Sequence, residues 1–109
     1  SDYRRARMTA DSLVRHTGAP LFEHDCLRER NFGDYRGRPY AEHGVDIMAD
    51  NFEPPNGESW AVFHARVDRA WDFILEHAGR QDADIAVVTH GLVLRSLIER
   101  KLHLGDHAY

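Results

Sequence analysis

Residues 85–98, IAVVTHGLVLRSLI, constrain the fold more than any other stretch of the chain. An apolar run at 85–88 ends in Thr89-His90-Gly91. A helical pattern follows at once, with Leu94, Leu97, Ile98 and Leu102 on one face. The run reads as a buried strand over 85–89 and the pattern as a helix over 92–102. His90 then stands where a strand hands over to a helix. Crevices at the carboxyl ends of strands are where open α/β sheets bind ligands. The new helix aims free backbone N–H groups and the positive end of its dipole into the same space. The His90 ring adds a donor or a positive charge. That combination suits an anion, phosphate above all.

Upstream, the spacing predicts a helix from about Arg4 with Tyr3, Ala6, Ala10, Leu13 and Val14 on its apolar side. Gly18 and Pro20 stop it. Residues 20–26 read as a short strand or extended segment, 27–37 as a loop with Gly33 and Gly37, 39–50 as a short, poorly patterned helix, and 51–57 as a loop rich in Pro and Gly. The longest helix follows, with Ser59 as its N-cap. Trp60, Phe63, Val67, Ala70, Trp71, Ile74 and Ala78 form its apolar stripe, Arg66, Asp68, Arg69, Asp72 and Glu76 occupy the other faces, and Gly79 ends it. The order helix, strand, helix, helix, strand, helix predicts α/β layering. Two strands are too few for a self-sufficient sheet covered on both faces. The expected layering is therefore α/β and incomplete, with a third strand hidden or strands missing at the ends, in a single partial domain over 1–109.

Composition narrows the function. The net charge of −4 leaves no basic footprint for nucleic acid. The longest apolar runs are far too short to span a bilayer. The single cysteine, Cys26, excludes an internal disulfide framework and fits a reducing, cytoplasmic location. Eight histidines raise the question of a metal. His103 and His107 lie four apart with Asp106 between them, but Gly105 breaks the helix that would align them, so no metal site is expected.

Four segments then combine: SDYRRARMTA at 1–10, LRERNFGDYRG at 27–37, PNGES at 55–59 and VVTHG at 87–91. Together, and in this order, the set resembles the histidine phosphatase superfamily, the phosphoglycerate-mutase-like proteins. Their pattern runs S-x-x-x-R-A-x-x-T-A, L-x-E-x-x-x-G-x-x-x-G, P-x-G-E-S and V-x-H-G. The resemblance covers nearly the whole chain and implies the fold, an incomplete three-layer αβα sandwich. It implies a nucleophilic histidine in an Arg-His-Gly triplet after a first strand, upstream of residue 1, and a last strand after Tyr109. Arg15-His16-Thr17-Gly18 is not that triplet, because it has Thr for Gly and ends a helix.

The resemblance also assigns roles. Phosphoryl transfer needs a nucleophile, positive charge around the equatorial oxygens and a proton for the leaving alcohol. Arg5 matches the phosphate-clamping arginine, whose fork of donors suits two phosphate oxygens. Glu29 matches the proton donor, with Glu23 and Glu58 as competitors. Glu58 serves equally as a charge at a helix N-terminus. His90 matches the second histidine, which stabilises the transferring phosphoryl group. Gly91 lets the backbone approach the anion.

The resemblance implies hydrolysis of a phosphomonoester through a phosphohistidine, with no cofactor. The ligand is a small phosphorylated metabolite or a phosphate ion, and self-association into a homo-oligomer is allowed. The short connection from Glu29 to His90 favours the phosphatase branch. A mutase also needs a retained bisphosphate, and Arg38 is the only cation between Gly37 and Arg66. A phosphoglycerate-type mutase and a non-catalytic phosphate-binding module are the alternatives. Phe32, Tyr35, Tyr40 and Phe52 are candidate substrate contacts.

Overall fold

The computed structural model describes residues 1–39, 44 and 46–106. Three helices carry it: α1, Arg4–Thr17; α2, Trp60–Gly79; and α3, Gly91–Arg100. Two short 3₁₀ turns, Asp25–Leu27 and Gly33–Tyr35, punctuate the long connection from α1 to α2.

The helix signals in the sequence hold at their ends. Gly18 closes α1 in the left-handed conformation, φ 69°, and donates its N–H to the Val14 carbonyl at 2.8 Å. Only glycine reaches this conformation without strain. The Ser59 hydroxyl caps α2 by accepting the Val62 N–H at 3.1 Å. The α2 stripe is buried as its spacing demands, with Phe63, Val67 and Ala70 fully covered and Ile74 nearly so, while Ala78 is exposed. Against it pack Cys26 and Leu27 from one side and Val93 and Leu97 of α3 from the other. This three-part cluster is the core, and it holds the segment before Glu29 and the helix after His90 against one scaffold.

The expected αβα sandwich is not present: among the described residues no strand forms. A strand exists only by exchanging ladder hydrogen bonds with a neighbour. Neither 20–26 nor 85–89 finds one. The Val88 carbonyl instead accepts from the Ser1 ammonium at 2.8 Å, and the Thr89 hydroxyl donates to the Leu27 carbonyl at 2.7 Å. Ile85, Val88 and Thr89 are partly buried, whereas Ala86 and Val87 are exposed, Val87 at 40 %. They form a partly covered connector, where the sequence suggests a buried strand.

The face of α3 also differs from its leucine pattern. Val93, Ser96 and Leu97 are buried, whereas Leu94 is 41 % exposed. On the inward side Val93 and Leu97 join the core cluster, and His64 of α2 meets the Ser96 hydroxyl at 2.8 Å. Part of the helix expected at 39–50 lies outside the described residues; 46–50 form turns. His107 also lies outside them.

Candidate active site

His90 is the N-cap residue of α3, with extended backbone at φ −128° and ψ 166°. Its ring is buried, 9 % exposed, with Nε2 2.9 Å from the Ser1 hydroxyl and the Tyr3 ring edge-on at 5.4 Å. Burial first, and the Arg5 charge second, hold the imidazole below the ordinary histidine range, while Glu29 opposes them. Gly91 opens α3 and stands exposed, and a Cβ there would meet no atom within 4 Å. The protein's own packing does not require glycine at this position.

Glu29 reaches the same helix end. One carboxylate oxygen accepts the Leu92 N–H at 3.1 Å, and the other accepts the Arg30 N–H at 3.0 Å. The carboxylate therefore caps the first turn of α3 beside His90, where the helix dipole favours negative charge. Its flanking cations are turned elsewhere. Arg28 forks onto Asp2 at 2.8 and 2.6 Å. The Asp2 carboxyl is held low chiefly by that hydrogen bond. Arg30 is 3 % exposed, with its guanidinium 3.8 Å from the centre of the Trp60 ring. It donates to the Glu58 carbonyl at 3.0 and 2.9 Å and to the Phe52 carbonyl at 2.8 Å. Its Nη1 is buried with no hydrogen-bond partner among the described residues.

A cleft of about 790 Å³ opens between α1 and the 29–38 loop. Arg5 and Glu29 lie on its wall, and so do Arg4, Arg30, Arg36 and Arg38. No carboxylate among the described residues pairs with any of these five arginines. Tyr3 lines the cleft, and His90 sits against Tyr3 off its wall. Arg5 is exposed, its guanidinium 5.3 Å from the Tyr3 ring centre. Phe32 and Tyr35 also line the cleft. Phe52 packs edge-on to Tyr35 at 5.5 Å, and Tyr40 lies outside the described residues.

The competing residues have other work. Glu23 is an exposed partner of Arg7. His16 sits in the last turn of α1, 2.7 Å from the Ser12 carbonyl. Glu58 does not cap α2; its carboxylate is forked by Arg66 at 2.8 Å on each oxygen. Burial pushes that carboxyl up, but the Arg66 fork and the Asn31 N–H outweigh it and hold the group below the usual range. His24, Asp25 and Cys26 bring three potential metal ligands within 4.8 Å of one another. His24 Nδ1, however, already accepts the Cys26 N–H at 3.0 Å, and Cys26 is part of the core.

Sequence reasoning missed Arg66, Arg30 and Tyr3. It also missed the basic cleft, because it looked for a contiguous run of cations after Gly37. The fold assembles the charge from α1 and from residues on both sides of Gly33.

A family model described as histidine phosphatase superfamily (branch 1) matches residues 1–109. A 2,3-bisphosphoglycerate-dependent phosphoglycerate mutase from Cytophaga hutchinsonii is 31% identical across 87% of this chain and 50% of its own length. A protein of the same name from Bartonella quintana is 31% identical across 90% of this chain and 53% of its own. The chain spans about half the length of the curated relatives it matches.

Proposed function

The chain belongs to the histidine phosphatase superfamily, branch 1, and from that premise we propose that it supplies the anion-binding and proton-transfer half of a phosphoglycerate-mutase-type site. The observation that carries this reading is the cleft, where five arginines with no carboxylate partner among the described residues stand around one glutamate. So much uncompensated positive charge exceeds what one monoester phosphate needs. It suits a small ligand with several anionic groups, such as a bisphosphate or a phosphorylated carboxylic acid. The names of the relatives favour the same reading over simple hydrolysis.

In this reading Arg5 clamps the transferring phosphoryl group and His90 stabilises its charge. Glu29 exchanges the proton with the substrate hydroxyl. Negative charge arriving in the cleft would favour protonation of His90. No Arg-His-Gly triplet occurs in the 109 residues, so the test uses the full-length gene product. The protein is supplied with 3-phosphoglycerate, with and without 2,3-bisphosphoglycerate, in excess EDTA, and the products are followed by phosphorus NMR. Interconversion to 2-phosphoglycerate, stimulated by the bisphosphate, is the expected result. Release of inorganic phosphate without interconversion would establish hydrolysis in its place, and absence of both would overturn the reading.

A further inference from the structure

Glu29 lies on a segment with no regular structure between the turn at Asp25–Leu27 and the turn at Gly33–Tyr35. The carbonyls of such a segment need donors from elsewhere. One side chain supplies three of them. Arg66 of α2 donates from Nη1 to the Cys26 and Arg28 carbonyls at 2.8 and 2.7 Å, and from Nη2 to the Glu29 carbonyl at 3.2 Å. The same guanidinium forks onto Glu58. Glu58 in turn accepts the Asn31 N–H at 2.7 Å. A single ion pair thus grips the loop on both sides of Glu29. Both side chains are only 14% exposed, so the pair is weakly screened.

We infer that Arg66, backed by Glu58, is a positioning residue: it fixes the backbone of 26–31 so that the Glu29 carboxylate meets the first turn of α3 and the cleft. Its catalytic consequence rests on the function proposed above. The geometric consequence does not. Lysine cannot replace Arg66, because a single ammonium cannot span three carbonyls and a carboxylate in one plane. Glu58→Gln keeps the shape of the partner and removes the charge.

The test uses the full-length gene product and two readouts. The first is the amide resonance of Leu92, which donates to Glu29. In the wild-type background this resonance moves when Glu29 is replaced by Gln, which removes its charged acceptor. In Arg66→Lys the coupling collapses while amides in the middle of α2 keep their positions. The second is a double-mutant cycle on kcat. Arg66→Lys lowers kcat about tenfold or more with little change in KM, and costs nothing further when Glu29 is already Gln. If Arg66→Lys does not fold, Glu58→Gln carries both readouts. A preserved Leu92 response overturns the inference, and so does a rate loss that is additive with Glu29→Gln. If the wild type transfers no phosphoryl group, the proposed function fails, and the Leu92 response still decides the positioning role.

Discussion

Gly33 shows how one residue sets the distance between two loops. Its φ is +55°, and a Cβ there would lie 2.0 Å from the Pro55 carbonyl oxygen and 2.6 Å from backbone atoms of Asn56 and Gly57. Those are main-chain atoms and cannot swing aside. The close approach is what lets Asp34 donate to Pro55 at 2.9 Å and Glu58 to the Asn31 carbonyl at 2.8 Å. Gly33→Ala should therefore destabilise the fold by about 2–4 kcal/mol, from left-handed strain plus overpacking. Urea unfolding checks this; a loss under about 1 kcal/mol would show that the loops can separate without cost. Gly33 was legible in the sequence as part of a spaced motif, and so were Arg5, Glu29 and His90. Arg66 and Arg30 were not. A charged residue on the polar side of an amphipathic helix, or in a loop among other arginines, gives no local sign that it will be buried. What buries Arg66 is the set of carbonyls at 26, 28 and 29, and only the folded chain brings them within reach.

At the scale of elements, α1 and α2 could be read because their signals are local: a stripe at helical spacing, a serine cap and a glycine stop. The strand expected at 85–89 could not be settled this way. An apolar run shows that a segment tolerates extension but not which neighbour would pair with it. The face of α3 was misjudged for a related reason, because four leucine and isoleucine positions outweighed one serine in the pattern. The α2–α3 contact that corrects it is titratable. His64 faces Ser96 and stacks on Trp60 at 5.6 Å, with Arg100, Asp68 and Glu99 around it. Burial, then Arg100, holds its imidazole below the ordinary range against the opposing pull of Asp68 and Glu99. Unfolding restores the normal proton affinity, so the unfolded chain binds more protons once the pH falls below about 6.5. Stability is therefore full above that value and declines as the pH falls through the depressed folded-state pKa. His90 adds a contribution of the same sign. Denaturant midpoints should drop between about pH 7.5 and 5.5, and His64→Gln should flatten part of the slope. An unchanged midpoint across that range would contradict this account of the helix contact.

At the scale of the molecule, net charge misled. A chain of −4 overall concentrates five arginines on one cleft, and none of the five pairs with a carboxylate among the described residues. Overall charge excludes a broad basic surface, but it says nothing about a pocket a few ångströms across. The molecule is also open, with a radius of gyration of 15.5 Å against about 13 Å expected for a compact chain of this length. Large apolar side chains such as Met8, Phe22 and Val62 are more than half exposed. The core that exists is the one that matters for the site, since it fixes the Glu29 segment and the start of α3 on α2.

We propose that Arg5 and Glu29 in the arginine-lined cleft, with His90 beside it, serve transfer of a phosphoryl group. The most direct measurement is the rate of phosphoenzyme formation by the full-length gene product, mixed with labelled 2,3-bisphosphoglycerate and quenched in base, where phosphohistidine survives. The account predicts a stable label in the wild type. It predicts that Arg5→Lys and His90→Asn each slow labelling by about 10²–10³-fold with the fold intact. No label in the wild type, or labelling at full rate in both variants, would contradict it.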